Sequence, residues 1–189
     1  MSLGSGNFRI VTIWRNDVVQ NLPGVLVNTT TPAATNATTN LSMGGQFTIP
    51  ANTLRVGSLY QITCNYVYLH TAAATPTITA ELLINGTVIA QCTLVLTPIS
   101  TASTFTGTIV YYVRCQALGS GTTGKVVCTA DQKNSFVAFA RPSIENPTGT
   151  ATTDIDTTIA RTLEGRIRMT TAVASNTLTV TQGFIEKVS

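Results

Sequence analysis

The sequence predicts an all-β protein: an antiparallel two-sheet sandwich, jelly-roll-like, with an extended N-terminal arm. Threonine fills 36 of the 189 positions, and β-branched side chains suit the pleated, half-buried surface of a sheet. From Phe47 onward apolar and polar residues alternate with period two, and no stretch sustains a helical period. Turn signals punctuate these runs every roughly 8–12 residues, the spacing of a sandwich or barrel. A chain of this length makes one large sandwich with a substantial core.

Residues 1–46 read as the arm and 47–189 as the sandwich domain. In the arm, residues 8–14 (FRIVTIW) form one short apolar strand before the turn cluster of Asn16, Asp17, Asn21, Pro23 and Gly24. Residues 29–42 (TTTPAATNATTNLS) are almost free of large side chains, so this tract needs a neighbour to lie on or stays mobile. In the sandwich, residues 59–69 turn Tyr60, Ile62, Cys64, Tyr66 and Tyr68 to one face. Residues 77–84 do the same with Ile78, Ala80, Leu82 and Ile84, and Asn85-Gly86 then closes a hairpin, because both residues tolerate positive φ. The return strand, 87–96, turns Val88, Ala90, Cys92, Leu94 and Leu96 inward. Phe105, Ile109, Tyr111, Val113 and Cys115 continue the core face, and residues 119–124 turn into a strand over 125–130. Further runs cover 136–140, 163–171 and 177–188.

Composition excludes several classes of function. Charged residues make up only 10% of the chain, against roughly 25% in ordinary soluble domains. Eight acids, eleven bases and one histidine leave little material for acid–base catalysis. The net charge of +3 is too small and scattered for a nucleic-acid groove. No run approaches the ~18 apolar residues of a membrane span, so neither nucleic acid nor membrane is an expected partner. The mean hydropathy of +0.26 reflects Thr, Val, Ala and Ile in strands. The opening MSLGSGNFRI lacks the basic region and long apolar stretch of a secretory signal.

Individual motifs point the same way. The segment 119–125 (GSGTTGK) fits part of a phosphate-binding loop, but Val126 stands where a magnesium-holding hydroxyl belongs, and the continuation reads as strand. It is read as a hairpin turn. Cys64, Cys92, Cys115 and Cys128 form no C-x-x-C pair, have no histidine at ligand spacing and each sit on an apolar face. They are read as core hydrophobes, with a disulfide between neighbouring strands as the alternative. His70 is read as a solvated loop residue with no nucleophile elbow to serve. Asp154 and Asp156 would share a face if extended, and solvated loop acids explain them better than a calcium site. Glu81, Glu145, Glu164 and Glu186 are isolated. Arg161, Arg166 and Arg168 are the densest basic group, a candidate docking face for an acidic partner, with an ordinary wet face as the bland alternative. Four matches to the N-glycosylation acceptor, at Asn28, Asn36, Asn40 and Asn85, are the chance yield of a threonine-rich chain. No catalytic residue, cofactor or metal site is expected, and the protein is not read as an enzyme.

Three stretches resemble structural proteins of tailed bacteriophages: residues 47–63 (FTIPANTLRVGSLYQIT), 82–90 (LLINGTVIA) and 156–188 (DTTIARTLEGRIRMTTAVASNTLTVTQGFIEKV). In that family an "IPANTL" entry, a "G-T" hairpin and a closing "SNT" strand ending near "IEK" frame a virion β-sandwich. The resemblance implies a capsid decoration, or cement, protein that binds the major capsid protein on the capsid exterior after assembly in the host bacterial cytoplasm. The alternative is a tail or fibre module that binds a host receptor or glycan. It further implies a homo-oligomer, a trimer by analogy with decorating proteins on symmetry axes. Phe8, Ile10, Val11, Ile13 and Trp14 are the candidate intersubunit residues, since an apolar strand left uncovered is an edge hazard.

Overall fold

The computed structural model describes residues 24–29, 33–35, 40–71, 77–95, 101–134, 143–145, 152–170 and 176–189. They form twelve strands and, among the described residues, no helix. These are β1 (Gly24–Thr29), β2 (Ala33–Thr35), β3 (Leu41–Ile49), β4 (Leu59–His70), β5 (Thr77–Ile84) and β6 (Thr87–Val95). They continue with β7 (Ser103–Ala117), β8 (Gly124–Asn134), β9 (Ser143–Glu145), β10 (Thr153–Ile155), β11 (Arg161–Met169) and β12 (Thr177–Lys187). One sheet of seven strands runs β1-β12-β4-β7-β8-β10, with β2 also paired to β12, and the second, of five, runs β3-β11-β5-β6-β9. Every pairing is antiparallel.

The strand order is that of a jelly roll. The chain passes from β1 in the first sheet to β3 in the second, back to β4, over to β5 and β6, back to β7, and finally through β11 to β12. Four strands, β1-β12-β4-β7, therefore face four others, β3-β11-β5-β6, as two interlocked Greek keys. Strands β8 and β10 widen the first sheet beyond β7, and β9 widens the second beyond β6. The β5–β6 hairpin turns on Asn85 and Gly86, both at positive φ (50° and 77°), as the Asn-Gly pair requires.

The boundary drawn at residue 46 falls inside a strand. β3 begins at Leu41, and Leu41 and Met43 are buried with Phe47 and Ile49 in the common core. Within the tract 29–42, Ala33–Thr35 finds its neighbour in β12. The apolar arm residues Phe8, Ile10, Val11, Ile13 and Trp14, and the expected strand over 136–140, lie outside the described residues.

The core lies between the sheets. Tyr60, Ile62, Cys64, Tyr66 and Tyr68 of β4 and Ile109, Tyr111, Val113 and Cys115 of β7 meet Ile78, Ala80, Leu82, Leu163, Ile167 and Met169 of the other sheet. Hydrogen bonds cross this interior. The Tyr111 hydroxyl donates to the Ala80 carbonyl at 2.7 Å. The Cys92 thiol donates to Gln132 Oε1 at 3.1 Å, and Gln132 Nε2 donates to the Tyr66 hydroxyl at 2.8 Å. Each such bond contributes on the order of 1 kcal/mol; the Tyr111 and Cys92 bonds fix how the sheets register on one another, and the Gln132–Tyr66 bond ties β8 to β4 within one sheet.

Bulges set the remaining geometry. In β12 the pairing with β4 slips between Val180 and Gln182, so Leu178 and Val180 point inward before Thr181, and Gly183 and Ile185 after it. A second slip leaves Ile89 as an extra residue in β6, and it is buried. At one corner β3 comes down onto β12. A Cβ on Gly183 would lie 2.4 Å from the Met43 backbone, and one on Gly44 (φ 141°) would lie 2.8 Å from the Phe184 nitrogen. Only glycine permits that approach.

Candidate functional site

The basic group divides. β11 turns Leu163, Gly165, Ile167 and Met169 inward, which leaves Arg166 and Arg168 on the outer face of the five-stranded sheet. There both meet Glu81, the in-register neighbour of Arg166 on β5: Arg166 Nε donates to Oε2 at 2.5 Å and Arg168 Nη2 to Oε1 at 3.3 Å. The Glu81 side chain is only 5% exposed, so a nearly buried carboxylate is held by two guanidiniums that remain about one-third in solvent. Glu81 is not isolated, and its spacing gave no hint of this, because the contact depends on which strands are neighbours. Arg161 does not join that face. It has the inward parity of β11, at the strand's first residue, and its Nε donates to the Asp156 carbonyl at 2.8 Å.

The loop before Lys125 is a hairpin turn, as its sequence implies. Thr123 donates from its backbone N–H and its hydroxyl to the Ser120 carbonyl at 3.1 and 2.7 Å, Gly121 adopts φ 60°, and β8 starts at Gly124. Lys125 pairs with Asp154 on β10, so its ammonium braces two strands. Thr157 ties the same turn down: its N–H donates to the Gly119 carbonyl at 2.8 Å, and its hydroxyl accepts from the Gly119 N–H at 3.0 Å. Asp156 accepts bonds from the Thr158 hydroxyl and N–H at 2.5 and 2.8 Å, and these, with a bond from the Gly121 backbone, hold its carboxyl below the usual carboxylate value. The two acids thus have separate structural partners. Among the described residues no three metal-ligating side chains converge.

The four thiols are free, three of them fully buried. Burial pushes Cys64 and Cys128 up from 9.0 to about 12 and Cys92 to about 11, so they pack as neutral hydrophobes. His70 departs from its expected solvated position. As the last residue of β4 it is 1% exposed, stacked on Tyr68 with ring centroids 5.8 Å apart and beside Phe105 at 6.5 Å. The alternation of β4 already points it inward; the alanine run that follows disguised this.

Sequence reasoning overlooked the outer face of the seven-stranded sheet. In register across it lie Gln182 of β12, Asn65 of β4, Thr108 of β7 and Lys133 of β8. Asn65 Nδ2 donates to Gln182 Oε1 at 3.1 Å, and the Thr108 hydroxyl donates to Asn65 Oδ1 at 2.8 Å. A shallow groove of about 330 Å³ runs beside this row, lined by Asn65, Val67, Thr106, Thr108, Lys133 and Thr181. Half-exposed Phe184 and Tyr112 stand nearby on β12 and β7. Tyr112 was visible in the alternation, opposite buried Tyr111. Phe184 was not, because the Thr181 bulge turns it from the core face to the outside.

The molecule is thus a jelly-roll sandwich of the kind seen in both viral capsid and lectin domains, and that architecture does not assign a role. No family model and no curated protein matches the chain. Among solved structures, the CBM2 module of the evolved Dit of Lactobacillus casei BL23 phage J-1 is similar over 75% of this chain and 67% of its own, at 11% identity and a TM-score of 0.34. At that level of similarity nothing about ligand or partner passes from one to the other.

Proposed function

We propose that this chain is a non-catalytic virion protein, a capsid decoration or cement protein of a tailed bacteriophage that binds the major capsid protein and stabilises the outer shell by contact area. The observation that carries this reading is where the reactive side chains sit. Glu81 holds Arg166 and Arg168, Asp154 holds Lys125, Asp156 caps a turn, and His70, Cys64, Cys92 and Cys115 are packed in the interior. These groups build a stiff sandwich rather than converge on a reacting atom. The sequence likeness of residues 47–63, 82–90 and 156–188 to virion β-sandwiches supports the same reading. A homotrimer, with Phe8, Ile10, Val11, Ile13 and Trp14 packed on the neighbouring subunit, belongs to this proposal.

A second reading, a tail or fibre module that binds a host glycan or receptor, draws on Phe184 and Tyr112, which lie to one side of the amide and hydroxyl row of the seven-stranded sheet, two and four residues along their strands. Aromatic faces beside fixed polar groups suit such a ligand. One experiment separates the two. Labelled protein is offered to phage shells assembled without it and to intact host cells. Saturable binding to shells with a gain in shell stability supports decoration, and binding to cells alone overturns it.

A further inference from the structure

The large apolar side chains that stand exposed among the described residues, Val56 (65%), Ile159 (49%), Leu118 (46%) and Val188 (43%), come from four separate segments. All four lie at one end of the sandwich. β4 starts there at Leu59, β7 and β12 finish there, opposite Leu59 and Tyr60, and β11 starts there opposite Ile49. Backbone bonds knit the segments together. Gly57 N–H donates to the Cys115 carbonyl at 2.8 Å, Asn52 N–H to Thr157 at 3.2 Å, Thr157 N–H to Gly119 at 2.8 Å, and Val188 N–H to Leu59 at 2.8 Å. The apolar tips therefore project from a braced platform, and little ordering entropy remains to be lost when they are covered.

The charges around the tips have one dominant sign. Arg55 and Arg114 are exposed, Lys187 is half-exposed, and none of the three forms an ion pair among the described residues. Two Arg55 N–H contacts, at 2.9 Å to the Asn52 and Leu54 carbonyls, hold its side chain across the loop without neutralising it. Asp156 lies close to Arg161 and Asp154 is paired with Lys125, which leaves Glu186 as the remaining acid of this end.

We infer that this end of the sandwich docks onto a different protein whose surface offers an apolar patch rimmed by carboxylates. Exposed apolar side chains interspersed with unpaired cations supply both kinds of contact that a specific interface uses. The excess of cations selects acidic surroundings on the partner, and a second copy presented end to end would set Arg55, Arg114 and Lys187 against their own duplicates. The acidic-partner idea raised by Arg166 and Arg168 thus moves to arginines that no carboxylate occupies. The inference rests on the shell-binding reading and names the surface that performs it.

Shells assembled without this chain serve as the probe, with binding read by co-sedimentation. The full chain is compared with Val56→Ser/Leu118→Ser/Ile159→Ser, with Arg55→Glu/Arg114→Glu, and with Asn65→Ala/Tyr112→Ala on the sheet face. Both end variants should bind at least roughly tenfold more weakly, while the sheet-face variant binds as the full chain does. Binding of the full chain should also weaken between about 0.05 and about 0.5 M NaCl, and that of the charge-reversed variant should change less. Failure of the unaltered chain to bind shells overturns the proposed function. Binding that survives both end variants overturns this inference alone. So does an oligomer that dissociates on either substitution, which would make the end a contact between copies, or equal loss of binding to phosphatidylglycerol vesicles, which would make it a lipid contact.

Discussion

At their centres the two sheets lock their outer faces by different chemistry, while the Lys125–Asp154 ion pair braces only the β8–β10 edge of the seven-stranded sheet. On the five-stranded sheet one nearly buried carboxylate, Glu81, gathers Arg166 and Arg168 from the adjacent strand. On the seven-stranded sheet a neutral amide, Asn65, gathers Gln182 and Thr108 from the strands on either side. Both devices do the same mechanical task of locking strand to strand across a face that cannot use apolar packing. They differ in what they leave exposed. The charged device occupies the cations that would attract a partner, whereas the neutral one ties up no charge, and Arg114, Asp131 and Lys133 stay exposed on its sheet face. The contrast shows why counting arginines on a strand says little about docking until their neighbours are known.

The largest expected effect is alkaline. Burial raises the folded-state values of Cys64 and Cys128 to about 12 and of Cys92 to about 11, above the 9.0 of the exposed thiol. Their contribution is intact below pH 9 and is lost as the pH climbs through 11 to 12, because the unfolded chain releases these protons first. At pH 10, one unit above the unfolded value, the loss for the three thiols together is roughly 4 kcal/mol, measured by urea unfolding against pH under reductant. Two of the three thiols belong to the seven-stranded sheet, so Cys64→Ala/Cys128→Ala should flatten the profile more than Cys92→Ala. Next comes Gly183→Val, which drives a side chain into the Met43 backbone where the sheets meet; a loss of about 3 kcal/mol, or failure to fold, is expected. Glu81→Ala should cost about 2 kcal/mol, since Arg166 and Arg168 lose their shared acceptor yet keep some solvent, and Glu81→Gln should recover part of it. Asn65→Ala, on the neutral side, should cost about 1 kcal/mol and, unlike Glu81→Ala, show the same cost at low and high salt. Equal salt sensitivity of the two variants would erase the contrast between the sheets.

Much of the fold was legible because period-two alternation reports directly which side chains face a core. Tyr60 to Tyr68, Ile78 to Ile84 and Ile109 to Cys115 all lie where that pattern puts them. The pattern fails where the ladder gains a residue. Ile89 is buried out of phase, and Phe184 is turned outward by the Thr181 bulge. It also stops short of tertiary partners. Nothing in residues 161–168 signals that Glu81, some eighty positions earlier, takes up two of its arginines, nor that Arg161 lies on the opposite parity. The 46/47 boundary failed for a related reason: Leu41 and Met43 sit among Ser42, Gly44 and Gly45, and so few large side chains hide a strand whose glycines exist to let it touch β12.

The position of β12 has a consequence for how the chain reaches this state. β12 is the middle strand between β1 and β4: Gly24 lies opposite Lys187, and Tyr60 lies opposite the same lysine from the other side. As a ribosome releases the chain, β4 has β7 along one edge long before anything can occupy the other, and β1 has no neighbour in the main strand order at all. For that interval the growing sheet presents an open edge between its first and fourth strands, the kind of edge that templates pairing with other chains. Closure joins segments far apart in sequence, so it pays the loop entropy late and proceeds on the slow timescale of non-local β topologies. A single strand, synthesised after all the others described, converts two open edges into one continuous sheet.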